Sequence, residues 1–277
     1  MHGDSSLVYV QGPGEKSPHR LTTRTNAWET HPVLSPDGVA VAYALGDGPA
    51  AKSEVWLSRV DGSHAHRVSG PDEDAMMPAF GADSRKLFYV KSGFFGHHSN
   101  IAQPGKHDFD VEALVVDLDG PVASAVPTEL THQRYYDLLS LSVSPDGKHF
   151  LLSVFEYPIG WMIEEFEVEN PLRIWKMFQP HVPSEPKTGV FFGQAGYVHD
   201  AMDIVFTAAS QGQGDKFDYN VYQMSDVTGS ELVQLTHRTG MIDEMIASKD
   251  GMIIFSADGK RYGLDPQTKS VEALDHP

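Results

Sequence analysis

Trp28-Glu29-Thr30-His31-Pro32-Val33-Leu34-Ser35-Pro36-Asp37-Gly38, followed by Val39-Ala40-Val41-Ala42-Tyr43, is the stretch that decides the fold. One β-rich run enters a Ser-Pro-Asp-Gly turn and a second leaves it. Glycine tolerates positive φ and aspartate bonds its own nearby backbone, so these four residues spell a tight reversal. The turn recurs as Ser144-Pro145-Asp146-Gly147, and in degraded form as Ser248-Lys249-Asp250-Gly251, Ala82-Asp83-Ser84 and His199-Asp200-Ala201. The marker aspartates stand at 37, 83, 146, 200 and 250, with spacings of 46, 63, 54 and 50. Self-similarity at such a period means stacked supersecondary units.

A second marker closes each unit: Arg20-Leu21-Thr22, Arg67-Val68-Ser69, Glu129-Leu130-Thr131, Gln234-Leu235-Thr236 and, more loosely, Ala273-Leu274-Asp275. Further β-rich runs precede these, among them Val55-Trp56-Leu57 and Val221-Tyr222-Gln223-Met224, and Asp61-Gly62 or Asp119-Gly120 supplies a hairpin turn after the third run. Each unit therefore reads as four short strands. One such sheet cannot bury both faces, and radial stacking of several buries them against each other. Sandwiches and solenoids use similar turns, but a four-stranded repeat of this length is that of a β-propeller.

Composition agrees. The 277 residues are 40% hydrophobic, and Gly 25 with Pro 18 suits frequent turns better than long helices. A formal charge of −17 repels phosphate backbones, and no basic patch offsets it, so nucleic acid is not an expected partner. Such a surface draws cationic ligands or metal ions. Cys 0 excludes disulfides and cysteine nucleophiles. Met1-His2-Gly3-Asp4-Ser5 does not open a signal peptide, and no apolar run approaches the ~20 residues that span a bilayer, so no membrane insertion is expected.

The pattern from Trp28 to Gly38, the Ala-Tyr strand, Val60-Asp61-Gly62 and Arg67-Val68 resembles the repeat of the TolB-like (WD40-like, PD40) β-propeller family. The resemblance covers nearly all of residues 7–275 and implies one propeller domain over 1–277. Family members with such blades include translocation proteins, gating domains of prolyl-oligopeptidase-like peptidases and oligogalacturonate lyases, so it specifies fold and leaves function open. It also implies a periplasmic or extracellular protein, with the cytoplasm left open by the missing leader. Six copies of the third-and-fourth-strand half stand against five of the other half. Six blades with an abbreviated first one are expected, with five blades plus an extra hairpin as the alternative.

In a propeller the connections between units emerge with the second-to-third-strand loops, opposite the Ser-Pro-Asp-Gly turns. That first end gathers the unusual residues: the insertion 92–110 with His97, His98 and His107, the Tyr157–Trp161 loop, and His132 and His237 directly after Leu-Thr. Tyr135, Tyr136, Trp161, His97, His98 and His107 are the candidate contacts for a protein, peptide or glycan. Trp28, Trp56 and Trp175 are expected in blade cores. Counting back six from each marker aspartate gives His31, Met77, Ser140, Gln194 and Glu244 on the inner strands. His31, Gln194 and Glu244, topped by His132 and His237, have donors for a divalent ion such as Mn²⁺, Zn²⁺ or Ca²⁺ in the central channel. The plainer account is that channel-lining polar groups hold ordered water.

The expected function is a non-enzymatic binding or scaffold propeller. The alternative is a metal-dependent lyase or hydrolase at the channel mouth, as the resemblance to oligogalacturonate lyases implies. A serine peptidase is excluded by the lack of a Gly-x-Ser-x-Gly elbow.

Overall fold

The computed structural model describes residues 6–12, 15–25, 27–48, 51–92, 105–118, 126–183, 191–198, 203–213, 216–225, 231–248 and 251–274. Two compact units divide the chain, Met1–Asp137 and Leu138–His276. In the first, a hairpin of β1 (Tyr9–Val10) and β2 (His19–Arg20) precedes two blades. Blade one is the meander β3 (Trp28–Leu34), β4 (Ala40–Gly46), β5 (Ser53–Arg59) and β6 (His66–Arg67). Blade two is β7 (Ala75–Phe80), β8 (Lys86–Ser92), β9 (His107–Val115) and β10 (Thr128–Glu129), with β11 (Gln133–Tyr135) added on β9.

The second unit carries three more meanders. Blade three is β12 (Asp137–Val143), β13 (His149–Glu156), β14 (Gly160–Glu167) and β15 (Ile174–Phe178), its first residue lying at the boundary. Blade four is β16 (Phe192–Val198), β17 (Asp203–Gln211), β18 (Phe217–Ser225) and β19 (Val233–Gln234). Blade five is β20 (Glu244–Ala247), β21 (Ile253–Ala257), β22 (Lys260–Leu264) and β23 (Val271–Leu274). Among the described residues the strands thus make five blades and an extra hairpin, the alternative blade count. No helix among them is long and apolar enough to cross a membrane.

Both sequence markers have a physical cause. In blade one Ser35 Oγ donates to Asp37 Oδ1 (2.6 Å) and accepts from Ala40 N (2.8 Å), while Val39 N donates to Asp37 Oδ1 (3.0 Å). Blade three repeats the set at Ser144, Asp146, Lys148 and His149. Gly38 and Gly147 hold φ of 75° and 70°, which costs glycine little. The bond from Ser35 holds the Asp37 carboxyl below its usual range.

The closing hydroxyl acts where the fourth strand runs out. Ser69 Oγ, Thr131 Oγ1 and Thr236 Oγ1 accept from Val55 N (3.1 Å), Val111 N (2.9 Å) and Val221 N (2.9 Å), extending two-residue pairings. All three hydroxyl residues are buried. Thr236→Val is expected to cost about 1–3 kcal/mol in urea unfolding, because it strands the buried Val221 N–H. A loss within a few tenths of wild type would refute that role.

Blades stack through their faces within each unit. Ala42, Val55 and Leu57 of blade one pack with Leu87, Tyr89 and Leu114 of blade two, and the hairpin covers the other face of blade one through Val8, Leu21, Val41 and Tyr43. The Glu29 carboxylate fastens that hairpin segment, accepting from Val8 N (2.6 Å) and from the Thr22 hydroxyl. In the second unit Leu151, Ile163 and Phe178 meet Phe206, Tyr222 and Met224, and Val205 and Val221 meet Phe255 and Ile253.

Candidate functional site

The described part of the insertion is short. β8 runs to Ser92 and β9 begins at His107, so the last residues of 92–110 are strand; His97 and His98 lie outside the described residues. The pairing that follows, Lys91↔Asp110 and Tyr89↔Glu112, brings a lysine and two carboxylates side by side at the end of blade two opposite its marker turn. β10 adds Glu129 beside Glu112. Lys91 Nζ lies 2.7 Å from Glu112 Oε1 and 2.8 Å from Glu129 Oε2, and the Tyr89 hydroxyl donates to Glu112 Oε2. His132 Nδ1 is 2.8 Å from Glu129 Oε1.

Burial makes these charges matter. Glu112 is 5% exposed, and Lys91 and Asp110 are half-buried. Burial draws the Lys91 ammonium down, but its bonds to Glu112 and Glu129 outweigh that and hold it above the ordinary lysine value. Burial first, and then the Glu129 charge, push the Asp110 carboxyl up to about 6. Among the described residues no hydrogen bond reaches that carboxylate.

Asp110 also lines a cleft of roughly 230 Å³ between blades one and two. Asp72, Glu73 and Asp74 come from the β6–β7 connection, Asp108 from β9, and Lys52 and Lys91 are the cations. Three of these carboxylates already have work: Asp74 Oδ1 accepts from Ser53 N (2.9 Å), Glu73 Oε2 from Gly70 N (2.5 Å), and Asp108 pairs with Arg134 Nε (2.9 Å). Asp72, exposed at φ 67°, and Asp110 remain for a ligand.

Of the residues singled out in the sequence, His132 joins this site, and it converges with Asp110 and Glu129, their ligating atoms all within 4.8 Å of one another. Among the described residues no other three His, Asp or Glu side chains converge so closely. His31 stands at φ 51° where the β3–β4 register shifts, touches Thr30 Oγ1 (3.1 Å), and is drawn down to about 4 by burial. Met77 occupies the matching bulge of blade two. The Gln194 side-chain oxygen Oε1 accepts from Met245 N, and Ser140 Oγ accepts from Ala195 N (3.1 Å), so these inner-strand positions stitch neighbouring blades. Burial raises Glu244, and His237 is exposed.

The aromatic candidates divide similarly. Tyr135 is 2% exposed and packs on Phe109, Tyr136 and His107 are half-buried, and Trp161 leans on Phe155 (5.2 Å) against the core of blades three and four. Trp175, expected in a core, is 54% exposed because β15 is an edge strand and Lys176, not Trp175, points with Phe178 toward the interior. Lys91, Asp110, Glu112 and Glu129 were not singled out. For Lys91, Asp110 and Glu112 the one signal is charge inside a strand, and Glu129 has none beyond its place in the closing marker.

No family model matches the chain, and no curated protein matches it. Solved structures do. TolB from Acinetobacter baumannii superposes with a TM-score of 0.59 at 18% identity, over 86% of this chain and 53% of that one, so the chain spans about half of that protein. A TolB-type protein of Agrobacterium tumefaciens gives 0.63 at 16% identity, over 94% and 84%. An oligogalacturonate lyase in complex with manganese gives 0.57 at 12% identity, over 97% and 72%. With strands, markers and superpositions in agreement, the chain has the all-β fold of the TolB-like β-propellers.

Proposed function

We propose that this propeller is a non-enzymatic binding module whose cleft on blades one and two receives a basic side chain of a protein or peptide partner. The observation that carries the reading is Asp110, a half-buried carboxylate that takes no hydrogen bond from the described residues, on a wall where five carboxylates face two lysines. A cation placed there relieves repulsion already present in the free protein, so complementarity adds to both rate and affinity. The −17 of the whole chain steers such a partner. A periplasmic or extracellular setting accompanies this reading through the TolB likeness. The lyase alternative rests on a 12% identical neighbour, a likeness that carries the fold and nothing more.

Fluorescence anisotropy with labelled hexalysine and hexaglutamate tests the proposal. Hexalysine is expected to bind, to weaken as salt rises, and to lose about tenfold in the Asp72→Asn, Asp110→Asn double variant. Equal binding of the two peptides, or hexalysine binding untouched by the double variant, would defeat it.

A further inference from the structure

The same three positions recur in other blades, and they are defined by the closing hydroxyl. The residues before Val55, Val111 and Val221 are Glu54, Asp110 and Asn220; those before the closing Val/Leu are Arg67, Glu129 and Gln234; those after the hydroxyl residue are Gly70, His132 and His237. Blade one pairs opposite charges here, with Arg67 Nη1 2.8 Å from Glu54 Oε1. Blade four uses neutral amides. Of these three blades, blade two is the one that sets two carboxylates and an imidazole together, while blades one and four show that the scaffold accepts a paired or neutral alternative.

We propose that Asp110, Glu129 and His132 form a divalent metal site, with Zn²⁺ or Mn²⁺ as the fitting ions. The donor set of two carboxylate oxygens and one imidazole nitrogen, within 4.8 Å of one another, suits borderline or hard first-row cations. Its charge also matches. Lys91 and Glu112 cancel, a metal-ligating imidazole carries no charge, and Asp110 with Glu129 leaves minus two for the ion.

The supporting shell is already in place. Lys91 holds Glu129 by Oε2 and leaves Oε1 on the His132 side, while Glu112, itself bonded by the Tyr89 hydroxyl, holds Lys91. Such outer partners orient ligands and tune affinity. The site shares Asp110 with the cleft, so it goes beyond the binding reading yet is linked to it. Ion and basic ligand oppose each other, and each weakens the other by the same factor.

The test is calorimetric titration of metal-stripped protein with Zn²⁺ and with Mn²⁺. One saturable equivalent of at least one ion is expected, with affinity falling roughly a hundredfold in Asp110→Asn and in His132→Ala and staying at wild type in His64→Asn, a histidine of the distant β5–β6 hairpin. No saturable binding, equal binding in Asp110→Asn and His132→Ala, or loss in His64→Asn overturns the site. Hexalysine binding measured in chelator separates the two readings. If it persists while both metals fail, only the metal site falls; if it fails while metal binds, only the peptide reading falls.

Discussion

Replacing Lys176 by methionine is expected to destabilise the second unit by about 3–5 kcal/mol, as read from urea unfolding. Glu165 on β14 is fully buried, and its two oxygens are held by different strands. The Tyr197 hydroxyl of β16 donates to Oε1 (2.8 Å), and Lys176 of β15 places Nζ 3.0 Å from Oε2. Desolvating a carboxylate is tolerable only while a cation and a donor answer it. Methionine keeps the aliphatic stem of the lysine, so packing is nearly preserved and the loss reads the stranded charge. Glu165→Gln is expected to cost less, about 1 kcal/mol, because it removes the charge and can still accept from Tyr197. The combined Glu165→Leu, Lys176→Met chain should recover most of the loss. If Lys176→Met costs no more than Glu165→Gln, the ion pair is not what holds β15 to its neighbours.

How much of this was legible in the sequence depends on how far apart the interacting atoms lie along the chain. Ser35, Asp37 and Ala40 close their turn within six residues, so the motif announces itself. Thr131 was legible as a marker, but its bond to Val111 N crosses 20 residues, and its purpose was not. Lys91 and Asp110 face each other only because β8 and β9 adopt one register across the insertion, and no pattern in 92–110 sets that register. His132 and His237 look equivalent, and backbone position makes them so. Their neighbours separate them: Glu129 and Asp110 beside one, Gln234 and Asn220 beside the other. The inner-strand count that reached His31 and Gln194 assumed regular strands, whereas the register shifts at Thr30/Val33 and at Phe192/Ala195. Bulges redirect side chains in ways that counting cannot follow. The hairpin at 9–20 leads into a Leu-Thr ending, which makes an abbreviated first blade the expectation and an extra hairpin the alternative; among the described residues it pairs with itself and, through Ser6, with the β3 entrance.

Lys91→Met should strike stability and site together. Its ammonium answers Glu112, of which 6% of the side chain is exposed, and Glu129, whose strand β10 holds β9 by two residue pairs. Without it Glu112, Glu129 and Asp110 are three carboxylates with no lysine among them, and about 3 kcal/mol is expected to be lost at neutral pH. The same variant should loosen Glu129 and reduce Zn²⁺ or Mn²⁺ affinity about 10–100-fold although Lys91 touches no ion. Lys91→Arg keeps the charge and should retain most of both.

The pH profile separates charge from packing. In the variant Asp110, already at about 6 in the parent, loses the Lys91 charge that draws it down, so its folded value stays above its unfolded one. A raised carboxyl makes the folded state bind more protons than the unfolded, so its contribution is favourable in acid and is lost as pH rises through the folded value. The deficit of Lys91→Met should therefore be small near the unfolded carboxylate range of about 4 and grow toward pH 7. A deficit that is the same at both ends would mean the lysine stem was merely filling space, and the electrostatic account of Glu112, Glu129 and Asp110 would fall with it.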